Sequence, residues 1–234
     1  MGKRGPKPKG IVPIIWSADF AYAIGLIASD GSLSKDGRHI SFVSADRDLV
    51  EMFHRILGLR VKIGMKLCQK GNPKRTPHVQ FGDVLFYRFL ESIGLTPNKS
   101  LTIKNVKVPK EFFIDFLRGN FDGDGSSYSY WDKRWKSSFM FYTEFCSGSR
   151  EYIEWLRENI FLHIGIKGHI ASSKTSSYYQ LKYAKKESVK LIDAMYYGGV
   201  KSYLLRKRLK IEATLCIMGK PLPARVEKLA DSLP

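Results

Sequence analysis

The chain has 234 residues, 44% of them apolar, and a formal net charge of +17. That charge argues against a cationic partner and points to a polyanion, with nucleic acid ahead of an anionic membrane. There is no 18-residue apolar run and no signal-peptide core, and Cys68, Cys146 and Cys216 fit neither a disulfide framework nor a zinc site. No membrane-spanning helix and a reducing intracellular compartment, cytoplasm or organelle matrix, are therefore expected.

Residues 1–10, Met-Gly-Lys-Arg-Gly-Pro-Lys-Pro-Lys-Gly, read as a basic arm, because proline and glycine oppose a helix and the cations repel. The arm is placed at 1–14. Pro6 breaks the myristoylation pattern that Met1-Gly2 would open. Ser17 is a plausible N-cap for an apolar helix to about Ala28. Residues 31–44 read as a hairpin turning at Asp36-Gly37, with Ile40 and Phe42 on one face. Asp46 to Leu57 is an amphipathic helix stopped by Gly58. Residues 60–69 and 78–81 read as a strand pair around the basic loop 70–75, and 83–93 as a helix ended by Gly94. Residues 96–110, with Pro97 and Pro109, read as a linker.

The order then repeats. Phe112, Phe113, Phe116, Leu117 and Phe121 recur at helical spacing. Residues 126–130 and 137–146 read as strands around the loop 131–136. Ser41 to Asp48 corresponds to Glu144 to Glu151, which sets the next helix. Residues 166–173 and 178–184 are the second strand pair, with Gln180 matched to Gln80. Helices follow at 187–197 and 203–214, and 215–234 is a tail. Each half, 15–95 and 111–214, therefore reads αββαββα. The expected fold class is α+β: two pseudo-symmetric halves, each a four-stranded antiparallel sheet with helices on one face. The other face carries Ser32, Ser34, Arg38, Lys62, Lys66, Gln69, Lys70, Arg75, His78 and Gln80 in the first half. In the second it carries Tyr128, Tyr130, Lys136, Lys167, His169, Lys174, Gln180 and Lys182. Such cations, amides and aromatics suit a duplex laid across the strands. Charge on an antiparallel sheet is otherwise merely solvated. Tyr128 and Tyr130 either contact nucleic acid or pack on Trp131 and Trp135.

Two stretches organise this repeat. Ala23–Gly31 reads Ala-Ile-Gly-Leu-Ile-Ala-Ser-Asp-Gly, and Leu117–Gly125 reads Leu-Arg-Gly-Asn-Phe-Asp-Gly-Asp-Gly. They align without a gap, Gly25 on Gly119, Asp30 on Asp124, Gly31 on Gly125. The small Gly25 and Gly119 would let the two helices pack closely, bringing both acids together. Gly125 is expected to stop its helix in the left-handed conformation. A carboxylate at a helix C-terminus faces partial negative charge, which a bound cation would relieve. An EF-hand is excluded, because its sixth and twelfth positions from Asp122 would be Ser127 and Lys133. No Ser-His-Asp or Cys-His spacing argues for nucleophilic catalysis.

At these residues the chain resembles the LAGLIDADG homing endonucleases, in the form with two motifs on one chain. The first motif departs at Ala28, where the name has its first Asp. The resemblance implies Mg²⁺, two or three ions at the helix-pair interface with Mn²⁺ able to substitute. It implies metal ligation by Asp30 and Asp124 with the carbonyls of Ser29 and Gly123, and catalytic lysines at Lys99 and Lys207. It also implies a monomer that hydrolyses both strands of a long, asymmetric double-stranded DNA target. The alternative is a cleavage-deficient DNA-binding regulator, or a maturase acting on intron RNA. The chain begins with Met and lacks a Cys or Ser start and a terminal His-Asn, so a free-standing or intron-encoded protein is expected over an intein-embedded one.

Overall fold

The computed structural model describes residues 10–67, 75–172, 178–220 and 222. The readings for Gln69, Lys70, Lys174, Cys68, residues 1–9 of the arm and nearly all of the tail beyond 220 lie outside the described residues.

Helix α1 (Ala18–Ser29) begins where the Ser17 side chain accepts from the Phe20 N–H at 3.1 Å, and every residue from Phe20 to Ala28 is buried. A helix apolar all round must be covered all round. Its main partner is α5 (Phe113–Asp124), buried from Phe116 to Asp122. The two touch backbone to backbone. A Cβ on Gly25 would overlap the Phe116 carbonyl and lie 3.0 Å from Gly119 Cα, and one on Gly119 would overlap the Tyr22 carbonyl. Only glycine permits that approach.

Around this pair stand two four-stranded antiparallel sheets. Strands β1 (Gly31–Leu33), β2 (His39–Val43), β3 (Gly64–Leu67) and β4 (Arg75–Gly82) form one, in the order β1-β2-β4-β3. Strands β5 (Ser126–Trp131), β6 (Phe139–Ser147), β7 (His169–Ser172) and β8 (Tyr179–Tyr183) form the other, in the order β5-β6-β8-β7. Alternation of side chains puts Ile40, Phe42, Val79 and Phe81, and in the second sheet Phe141, Phe145 and Leu181, into the core. Helices α2 (Arg47–Ile56), α3 (Val84–Ser92), α6 (Arg150–Ile164) and α7 (Lys185–Met195) pack with that core, and the opposite faces stay open. The architecture is the expected α+β pair of open-sheet halves.

Four local expectations change. The segment 96–110 is not merely a connection: it holds a one-turn helix, α4 (Lys99–Thr102), the counterpart of α8 (Leu205–Ile217) in the second half. Gly125 is not left-handed: its φ of −72° and ψ of 157° are extended. It is glycine because the strand turns back over the last helical turn, where a Cβ would lie 2.7 Å from the Phe121 carbonyl oxygen. Gly58 and Gly94 do take positive φ and stop their helices. The pairing of Gln80 with Gln180 is displaced by one row. Gln80 lies opposite Ser41, whose equivalent Glu144 lies opposite Lys182, whereas Gln180 lies opposite Cys146 and matches His78. Finally, Tyr128 and Tyr130 do not pack on the tryptophans. Both stack on Tyr142, with centroids 5.2 and 6.2 Å away, while Trp131 packs on Phe139.

Candidate active site at the helix crossing

Asp30 caps α1 and Asp124 ends α5, so the crossing brings the two carboxyls together. Burial, followed by the charge of Asp124, pushes the Asp30 carboxyl up to about 7, and burial also raises Asp124. Two acids this close resist ionising together unless a cation separates them. A Cβ on Gly123 would overlap the Ser29 side chain and lie 3.0 Å from Asp30 Oδ2, so the glycine between the second motif's acids makes room for the end of the first motif helix.

A lysine closes each side. Lys99, 4% exposed on α4, donates to the Ser29 carbonyl at 2.8 Å, and burial pushes its ammonium down to about 8. Lys207, on the first turn of α8, donates to the carbonyls of Phe121 (2.6 Å), Gly123 (3.1 Å) and Gly125 (2.6 Å), and burial lowers its pKa too. The Ser29 and Gly123 carbonyls thus each accept from a lysine ammonium.

Asp122 does different work. It is 1% exposed; its Oδ2 accepts from the Tyr22 hydroxyl (2.8 Å) and from the Leu204 N–H (2.7 Å), and its Oδ1 from the Tyr196 hydroxyl (3.4 Å). Leu204 is the N-cap position of α8 and offers no side-chain cap. Asp122 supplies the missing anion at that helix start and so fixes the turn bearing Lys207. Nearby, Arg118 is 1% exposed and is met by Asp115 (2.8 Å) and by the carbonyls of Ser202 (2.8 Å) and Met195 (3.0 Å). Sequence reasoning missed this network. Its signal was an oppositely charged i, i+3 pair, Asp115 and Arg118, among the phenylalanines of that helix.

The donor set can be tested against a metal ion. Among the described residues, no group of three or more acids, histidines or cysteines is placed to hold one. A site of two carboxylates with nearby carbonyls instead fits Mg²⁺, which takes oxygen ligands and keeps several waters.

The open faces lead away from this centre. In the first sheet Ser32, Ser41 and Gln80 form one cross-strand row, and Val43, His78 and Gly64 another, with Lys66 opposite Thr76. Ser34, Arg38 and Lys62 are exposed in the adjoining turns. Arg75 is exposed but shares the strand parity of the core-facing Pro77, Val79 and Phe81, so, against expectation, it does not lie on the open face with His78 and Gln80. In the second sheet Tyr128, Tyr130, Gln180, Lys182 and His169 lie on the open face, and Lys136 and Lys167 are exposed in loops. That face also holds Ser126, Met140, Tyr142, Glu144 and Cys146, which sequence reasoning left out. Strict alternation from Tyr128 through the hairpin would have found them.

Residues 17–94 match the family model of the LAGLIDADG-like domain. That match lies within the first half, and over most of its length the chain shares the fold of LAGLIDADG homing endonucleases of known structure. The homing endonuclease I-WcaI bound to its DNA recognition sequence is similar over 90% of this chain and 94% of its own, with a TM-score of 0.59 and 13% identity. The LAGLIDADG homing endonuclease I-LtrWI bound to target DNA is similar over 86% and 91%, with a TM-score of 0.57 and 12% identity. Full-length DUF199/WhiA from Thermatoga maritima is similar over 93% of this chain, with a TM-score of 0.54 and 16% identity; this chain spans 65% of its length. No curated protein sequence matches the chain. Among the described residues no helix is long and apolar enough to cross a membrane.

Proposed function

We propose that the chain is a site-specific, divalent-metal-dependent endonuclease that hydrolyses both strands of a long, asymmetric DNA duplex as a monomer. The observation that carries this reading is the pair Asp30 and Asp124, brought together at the helix crossing with one lysine against each last turn. Repeats 15–95 and 111–214 each address one half-site, and each acid serves one strand. Asp30 and Asp124, with the carbonyls of Ser29 and Gly123, hold Mg²⁺, or Mn²⁺ in its place. The metal, when bound, supplies an activated water and charge relief at the phosphate. Lys99 and Lys207 fix the carbonyls beside the acids and hold positive charge where phosphate charge develops. The open-face cations and amides draw the duplex in and set its register.

A second reading keeps the fold and drops cleavage: a DNA-binding regulator, or a maturase on intron RNA. The likeness to DUF199/WhiA, of the same order as that to the endonucleases, favours keeping it. Selection from a randomised duplex library in Mg²⁺, with the Asp30→Asn, Asp124→Asn double variant as control, separates the two. Discrete double-strand cuts that the variant loses support the endonuclease. Enrichment of one sequence, with no cut in Mg²⁺ or Mn²⁺, supports the binding protein.

A further inference from the structure

An acid stands in the face that the preceding reading gives to DNA. Glu144 lies at the middle of a complete row across the second sheet, Ser126, Glu144, Lys182 and His169, one residue from each strand in register. The row starts two residues after Asp124. The Glu144 side chain is 13% exposed; it accepts from the Ser126 hydroxyl at 2.8 Å and faces the Lys182 ammonium at 3.6 Å. The equivalent row of the first sheet, Ser32, Ser41 and Gln80, holds no charge.

A carboxylate on a surface that approaches phosphates weakens binding to every duplex, in a chain otherwise carrying +17. Beyond its contacts with Ser126 and Lys182, it gains something from a duplex where an exocyclic amino group meets it. In the major groove a glutamate accepts from cytosine N4, and a lysine donates to guanine O6 and N7. Glu144 and Lys182 are cross-strand neighbours, so the pair presents an acceptor beside a donor, as the two bases of one pair present the converse.

We infer that Glu144 and Lys182 together read one C·G base pair in the half-site bound by the second sheet, Glu144 from the cytosine amino group and Lys182 from guanine. This rests on the DNA-binding part of the proposed function, whether or not cleavage follows. Ser126 holds the carboxylate in place, and the neutral row of the first sheet leaves the matching position of the other half-site unread by charge.

The test is enrichment of a randomised duplex library by the full chain in Ca²⁺, for wild type, Glu144→Gln, Glu144→Ala and Lys182→Met. Wild type should enrich C·G at one position by about 5- to 150-fold over other pairs, the range of one well-placed side-chain contact. Glu144→Ala should lose that preference with the rest of the motif unchanged. Glu144→Gln, nearly isosteric, should shift the position toward adenine, which an amide reads through N6 and N7. Lys182→Met should weaken the preference at the same base pair. The inference falls if Glu144→Ala raises affinity uniformly and leaves every position as it was, since the acid then only repels. It falls equally if the altered position lies in the half-site opposite the one altered by Tyr130→Ala. A wild type that enriches no sequence overturns this inference and the DNA-binding reading together. An unchanged but specific motif overturns this inference alone.

Discussion

The two motif helices meet as equals at their glycines and differ almost everywhere else. Phe20 to Ala28 of α1 is buried and apolar apart from one tyrosine hydroxyl, whereas α5 buries Asp115, Arg118, Asn120 and Asp122. The equivalents of the three charged residues in α1 are Ala21, Ile24 and Ala28. The contrast continues in the lysine helices. Lys99 sits on a single turn and touches one carbonyl, while Lys207 sits on a thirteen-residue helix capped by Asp122 and touches three. A duplicated frame thus has one side built on apolar packing and the other on a buried polar network. The symmetric part is what the crossing requires sterically; the asymmetric part is what each half uses to hold its lysine.

The largest effect should come from breaking what the halves share. Gly25→Ala or Gly119→Ala places a methyl into the facing backbone carbonyl, where nothing flexible can yield. We expect each to cost about 3 kcal/mol or more in chemical denaturation, the upper range of overpacking. Gly198→Ala, with open space around its Cβ position, should cost little. Equal losses at Gly198 and Gly25 would remove the close crossing as the organising contact.

Next come the acids. Asp30→Asn and Asp124→Asn should each slow cleavage of one strand by on the order of 100-fold, so that a nicked circle accumulates and the nicked strand differs between variants. The same substitutions should report on stability in the opposite sense. Asp30 has a folded pKa raised from 3.8 to about 7. Its protonated form is the one the fold prefers. Stability linked to it is therefore complete below about pH 4 and declines as pH rises to about 7. Without metal, Asp30→Asn should be more stable than wild type at pH 8 by roughly 1 kcal/mol, and the advantage should vanish at pH 4. A wild type that is more stable than the variant at pH 8 in the presence of a chelator would mean the acids do not strain each other.

The lysines test the asymmetry directly. Lys207→Met leaves three carbonyls without their ammonium and should cost more than Lys99→Met by about 1–2 kcal/mol in denaturation. Asp122→Asn, which keeps the shape but removes the anion from the start of α8, should narrow that gap. Equal costs would show that the two lysines are held alike and that the buried network does not reach Lys207.

The frame was legible because it repeats. Two nine-residue stretches ending in Asp-Gly, with matching strands behind them, determine the crossing, the sheets and the meeting of the acids. The β4 and β8 strands were less legible, because two glutamines in similar settings, Gln80 and Gln180, invited a pairing one row out. The buried network was hidden for a different reason. Its members lie far apart in sequence, Asp122 reaching Leu204 and Tyr22, and a charged residue in a helix reads as surface until the opposing partner is in place. Glu144 was passed over because a basic face directs attention to cations. The one-turn helix α4 is too short to show periodicity and is flanked by prolines, so Lys99 was found only through resemblance.

The smallest expected effect separates the halves at one equivalent position. Asp46 starts α2 and Ser149 starts α6. The Ser149 hydroxyl accepts from the Tyr152 N–H and also donates to the Ile103 carbonyl of the connecting segment 96–110; it caps a helix and ties that segment to the second half at once. Asp46 makes no side-chain cap, because its carboxylate is engaged by Nε and Nη2 of Arg206, at 2.9 and 2.7 Å, from the other half. Both contacts tie the second half to residues that precede it, but Ser149 is buried and Arg206 is 63% exposed. Ser149→Ala should therefore cost about 1–2 kcal/mol, a lost cap plus an unpaired carbonyl. Arg206→Ala should cost under about 1 kcal/mol and less at high salt, since water screens the pair. Hydrogen bonding to Arg206 holds the Asp46 carboxyl below its usual range. Its contribution is therefore full above about pH 4 and lost as pH falls further, so the Arg206→Ala deficit should disappear in acid while the Ser149→Ala deficit persists. A deficit for Arg206→Ala that survives both salt and acid would mean that the guanidinium acts by packing across the interface, and that the two halves are joined more alike than their chemistry suggests.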